Sequence, residues 1–119
     1  MARRLGFDAR MIEGSCHCGA VRLEVASAPV ELTSCACSIC SRTGALLTYH
    51  PLKDVRITGA TDVYMWGDRM IEFHRCKTCG CFTHWLPVDK DYDRMGVNAR
   101  MMPREIWSGA RVRYTPGPD

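Results

Sequence analysis

Cys16-His17-Cys18-Gly19-Ala20-Val21-Arg22-Leu23-Glu24-Val25 sets two cysteines one residue apart and runs straight on into a strand. Val21, Leu23 and Val25 alternate with Arg22 and Glu24, the pattern of a strand buried on one face. Gly19 gives the chain before it freedom to curl. Two thiolates in such a turn can reach the same metal ion, whereas Cys-x-Cys neighbours cannot easily bridge each other. A second turn of the same kind, Cys76-Lys77-Thr78-Cys79-Gly80, comes far downstream. Together the two turns supply four sulfurs for a closed, structural zinc site on Cys16, Cys18, Cys76 and Cys79. It would tie the N-terminal strand to a late hairpin.

Between these turns lies Cys35-Ala36-Cys37-Ser38-Ile39-Cys40, with no complementary pair left among the eight cysteines. Three protein ligands and an open fourth position are the arrangement of a catalytic zinc. The other reading is a second structural site completed by Cys81, His74 or His84. Cys81 follows Cys79 by two residues, and in an extended chain their side chains share a face. It is then either a spare thiol beside the first site or the fourth ligand of the second, and the first placement is preferred.

The rest of the chain reads as short strands between turn signals. Residues 30–34, 46–50, 55–58, 62–66, 70–75, 81–86 and 111–114 have strand character, and Gly67-Asp68-Arg69 is a hairpin turn. Helical turns are expected only at 38–43 and 103–107. The fold class is all-β, and the organisation is a single zinc-binding domain over 11–115 between tails at 1–10 and 116–119.

Composition narrows the function. The 46% apolar content is that of a globular domain. No apolar run approaches a membrane span, and the basic start Met1-Ala2-Arg3-Arg4 is not followed by the apolar stretch of a secretory signal. Clustered cysteines without a signal suit the reducing cytoplasm. The formal charge is +3, but two zinc ions on seven thiolates would cancel it. The Lys and Arg residues form no contiguous patch, so no nucleic-acid partner is expected. The sequence leaves the oligomeric state open, a homodimer being one option.

Three motifs in fixed order carry a resemblance. Gly14-Ser15-Cys16-His17-Cys18-Gly19-Ala20-Val21, Cys35-Ala36-Cys37-Ser38-Ile39-Cys40-Ser41-Arg42-Thr43-Gly44 and Cys76-Lys77-Thr78-Cys79-Gly80 resemble the signature of the glutathione-dependent formaldehyde-activating enzymes, a family that includes centromere protein V-like domains. The similarity runs over residues 11–115. It implies a β-tent fold of small antiparallel sheets clamped by zinc. It implies one structural zinc on Cys16, Cys18, Cys76 and Cys79 and a second, labile zinc on Cys35, Cys37 and Cys40. The implied activity is that of a carbon–sulfur lyase, forming or cleaving S-hydroxymethylglutathione from formaldehyde and glutathione. Cys81 departs from the pattern, because the family more often has a non-thiol residue there.

That chemistry needs a held thiolate and an oriented carbonyl. A zinc already bearing three thiolates is a poor Lewis acid, so binding a fourth, exogenous thiol suits it better than making hydroxide. Glutathione also needs a cation for its carboxylates, and Arg42, just after the triad, is the first candidate, ahead of Arg69 and Arg75. His84 is the best-placed proton shuttle of the four histidines, and Trp66, Trp85 and Trp107 read as core that could also line a pocket. Two other functions compete: a non-catalytic zinc-stabilised binding module, and a redox or metal-sensing cysteine site. Metal stoichiometry separates them, since two zinc ions per chain favour the enzyme and one favours the others.

Overall fold

The computed structural model describes residues 11–117. The expected tail at 1–10 and residues 118–119 of the expected tail at 116–119 lie outside the described residues. Alternation orients the first strands: in β2 (Arg22–Val25) Leu23 and Val25 are buried while Arg22 is exposed. β2 lies between β1 (Ile12–Ser15) and β5 (Val55–Thr58) in a three-stranded antiparallel sheet.

The second sheet holds β3 (Glu31–Cys35), β4 (Leu47–His50), β6 (Thr61–Tyr64), β7 (Ile71–Cys76), β8 (Phe82–Pro87), β9 (Met95–Asn98) and β10 (Arg111–Thr115). Their order is β10-β3-β4-β9-β8-β7-β6. The β-dominated fold of small sheets is as the sequence implies, with one local exception. β10 runs parallel to β3, pairing Arg111 with Glu31 through to Thr115 with Cys35. The α-helices among the described residues are short, α1 (Ser38–Thr43) and α2 (Arg104–Trp107), close to the two expected helical turns. Neither is long and apolar enough to cross a membrane.

Two strands were not legible. β1 lacks a run of apolar residues, and β9 is buried on both faces, so Met95-Gly96-Val97-Asn98 shows no alternation. β9 separates two cores. Met95 and Val97 pack with Leu23, Val25 and Leu32 between the two sheets. On the other side Leu47, Phe73 and Trp85 pack with Cys37, Cys40 and Ala45. The Trp85 indole lies on the backbone of β9, and a methyl group on Gly96 would overlap it. A third cluster joins Val21 to Cys16 and Cys76. The second and third clusters therefore include the thiols.

Candidate metal centres

The two cysteine turns are built alike. The Cys16 N–H donates to the Val21 carbonyl at 3.0 Å, and the Cys76 N–H donates to the Cys81 carbonyl at 2.9 Å, so each chain folds back over its own sulfurs. Gly19 and Gly80 both take φ of 82°, a left-handed conformation open to glycine at little cost. Backbone N–H groups point inward. Val21 donates to Cys16 Sγ at 3.3 Å, and Thr78 and Cys79 donate to Cys76 Sγ at 3.3 and 3.4 Å.

The result is a group of four sulfurs. Sγ of Cys18 lies 3.7 Å from Cys16 and 3.6 Å from Cys76, and all four, with Cys79, are within 4.8 Å of one another. Sulfurs about 2.3 Å from a tetrahedral zinc stand roughly 3.8 Å apart, so this donor set fits zinc. N–H groups of Cys81 and Cys18 pull the Cys79 thiol down to about 5. For Cys18 the Ala20 N–H pulls downward, but burial and the facing thiols of Cys76, Cys16 and Cys79 push it up to about 11. Cys79 ionises readily here while the facing Cys18 resists, a conflict that a shared cation would remove.

Cys35, Cys37 and Cys40 form a second group within 4.8 Å. Cys35 ends β3, Cys37 caps the N-terminus of α1 and Cys40 lies in its first turn. The Cys37 sulfur accepts the Cys40 N–H at 3.4 Å, an N-cap made by a thiol. Burial pushes Cys37 up, but the Cys40 N–H and the Cys35 and Cys40 thiols prevail and leave it lowered. Burial raises both Cys35 and Cys40. Among the described residues this group has three members, a donor set compatible with zinc and one further ligand.

None of the three suggested fourth ligands joins it. Cys81 packs with the first group, where the His17 N–H meets its sulfur and the thiols of Cys79 and Cys16 act on it. His84 neighbours Trp85 on β8, and because Trp85 faces the triad, His84 faces away. There it stacks on His74 with ring centroids 4.5 Å apart, and Thr83 Oγ1 lies 2.8 Å from its Nδ1. A proton-shuttle role for His84 at the triad is thereby corrected: the ring is on the wrong face of the sheet.

Trp85 and Trp66 pack in the aromatic group around the triad, whereas Trp107 belongs to the other core. Arg42 is exposed, donates to the Ser38 carbonyl at 2.8 Å and rims a surface cavity of about 350 Å³ with Ser38, Ile39, Tyr64 and Trp66. Two neighbours of the triad, Tyr49 and Gly117, and a cation seated on one of them, Arg94, are not apparent from the sequence. Tyr49 packs against its cluster, Arg94 lies over the Tyr49 ring, and Gly117 passes so close that a methyl there would sit 2.7 Å from Cys35 Sγ. Alternation along β4 could have found Tyr49, since it shares a face with Leu47.

Two cysteine groups that could hold metal ions, one with four donors and one with three, on a fold of short strands, define a small β protein with two candidate metal centres. The chain belongs to the family described as glutathione-dependent formaldehyde-activating enzyme, whose profile matches residues 11–110. A curated protein of Halomonas elongata, named "Putative glutathione-dependent formaldehyde-activating enzyme", is 56% identical over 34 residues, which are 28% of this chain and 22% of that protein. The match thus spans under a quarter of that relative's length. A crystal structure of a Rhodobacter sphaeroides protein superposes with a TM-score of 0.70 at 32% identity, covering 87% of this chain and 100% of that one.

Proposed function

We propose that the chain is a zinc-dependent carbon–sulfur lyase that joins formaldehyde to the sulfur of glutathione, or reverses that addition, at Cys35, Cys37 and Cys40. The observation that carries this reading is the three-membered thiol group beside a complete four-membered one. Cys16, Cys18, Cys76 and Cys79 hold a structural zinc in this reading, within one domain over 11–115 of a cytoplasmic protein. Cys35, Cys37 and Cys40 would hold a zinc ion, which would stabilise an exogenous thiol as its thiolate near neutral pH.

The chain's own residues do the rest. Cys37 and the helix start fix the triad, and Phe73, Trp85 and Trp66 surround it with apolar surface that keeps water from the thiolate. Arg42, on the rim of its cavity, contacts the tripeptide. Addition forms a bond between sulfur and the aldehyde carbon. The carbonyl π pair moves to oxygen, which takes a proton from water, and cleavage is the reverse. Little acid–base machinery is required because thiols and formaldehyde combine readily. Holding both partners in line provides the acceleration.

Cobalt in place of zinc gives each site a sulfur-to-metal charge-transfer band, and Cys37→Ala identifies the triad's share. Glutathione should raise that share as a fourth sulfur arrives. An unchanged spectrum at saturating glutathione refutes the reading.

A further inference from the structure

Arg94 stands out among the arginines for what its contacts leave available. Its guanidinium lies 4.2 Å above the ring of Tyr49, and among the described residues it has no carboxylate partner. Arg111 and Arg113 share Glu31 at 3.0 and 3.9 Å, and Arg100 donates to the Gly44 carbonyl at 2.8 Å. A guanidinium resting on an aromatic face is held by its plane, while its five N–H donors point outward along its edges. That geometry is suited to receive a carboxylate side-on through two parallel hydrogen bonds.

Tyr49 ties this cation to the triad. Its ring packs against the cluster that contains Cys37 and Cys40 and lies 6.2 Å from that of Trp85. Arg94 therefore sits on the ring that packs against the cluster holding Cys37 and Cys40.

We infer that Arg94, carried on Tyr49, is a specificity-determining residue that binds a carboxylate of the thiol substrate, so that the triad selects anionic thiols over neutral ones. This rests on the reading of the triad as a thiol site. Glutathione has two carboxylates, so Arg94 would act alongside Arg42.

The test compares glutathione with its diethyl ester, which keeps the thiol and removes both carboxylate charges. Binding to the zinc-loaded chain is followed by calorimetry, and the cobalt band reports arrival at the triad. Arg94→Gln should weaken glutathione about tenfold, the loss of one charge-assisted pair, and leave the diester unchanged. Arg94→Lys should recover part of the loss. Equal weakening of both ligands would mean that Arg94 only supports Tyr49, and unchanged glutathione binding with an intact cobalt response would remove Arg94 from recognition. Either result overturns the inference and leaves the proposed function standing. No cobalt response in the unsubstituted chain overturns both.

Discussion

Cys76→Ser should unfold this protein or bring it close to unfolding. Cys76 is 1% exposed, ends β7 and packs with Cys16 and Val21, so its sulfur belongs at once to a core and to the four-thiol group. Two contributions set the size of the effect. A metal shared by Cys18 and Cys76 closes a loop of 58 residues. Chain entropy alone puts that restraint at about 4 kcal/mol, taking the relation used for disulfides as a guide. The metal–sulfur bonds come on top, and structural zinc sites reach on the order of 10 kcal/mol or more in small domains. A domain's whole stability is about 5–15 kcal/mol, so even the smaller figure removes a large part of it. At roughly 4 °C per kcal/mol for a domain of this size, the Tm should drop by at least about 15 °C. Thermal unfolding by circular dichroism, with zinc measured on the same sample, provides the assay. A zinc-free Cys76→Ser protein that melts cooperatively within about 5 °C of the unsubstituted chain would refute the clamp.

The triad should behave differently. Cys37→Ala should lose one zinc of two while lowering the Tm by only a few degrees, the cost of a helix cap of about 1 kcal/mol, and complete unfolding would mean the triad is another clamp. Cys81→Ser should leave the cobalt spectrum of the second site unchanged, since its sulfur neighbours Cys79 and Cys16; altered intensity there would make Cys81 a triad ligand. Gly96→Ala should cost about 1–3 kcal/mol and change Trp85 fluorescence, because the added methyl displaces the indole; an unchanged emission and Tm would show that the indole moves freely. Burial, with His74 alongside, pushes His84 down to about 3, against about 6.5 in an unfolded chain. Below pH 6.5 only the unfolded chain takes up that proton, so its contribution is complete above 6.5 and falls by up to about 1.4 kcal/mol per unit towards pH 3. His84→Gln should flatten the acid side of the stability profile measured by urea unfolding, and identical pH 7-to-5.5 differences in both chains would refute the assignment.

What the sequence revealed depended on how locally each feature is determined. Cys16 and Cys18, or Cys76 and Cys79, declare themselves because a metal must be reached from a single turn, and the turn needs its glycine a fixed step later. The strand at β2 is equally plain, since one face meets water and Arg22 and Glu24 mark it. β9 has no such mark: both faces are covered, one by Leu23 and Val25 and the other by Trp85, and Gly96 is small because the indole occupies the space of a side chain. The parallel pairing of β10 with β3 joins residues 80 positions apart, a contact no local pattern encodes. It nevertheless shapes the triad, because Thr115 accepts the Ala36 N–H at 2.8 Å and carries Gly117 over Cys35. His84 shows the opposite failure: nearness in sequence to Cys81 suggested nearness to the chemistry, but one step along a strand reverses the face. Arg94 was passed over for the same reason that Arg42 was noticed, since position along the chain stood in for position in space. Ligand chemistry at short spacing is therefore legible in this chain, and the residues that would turn a metal site into a selective one are legible only after folding.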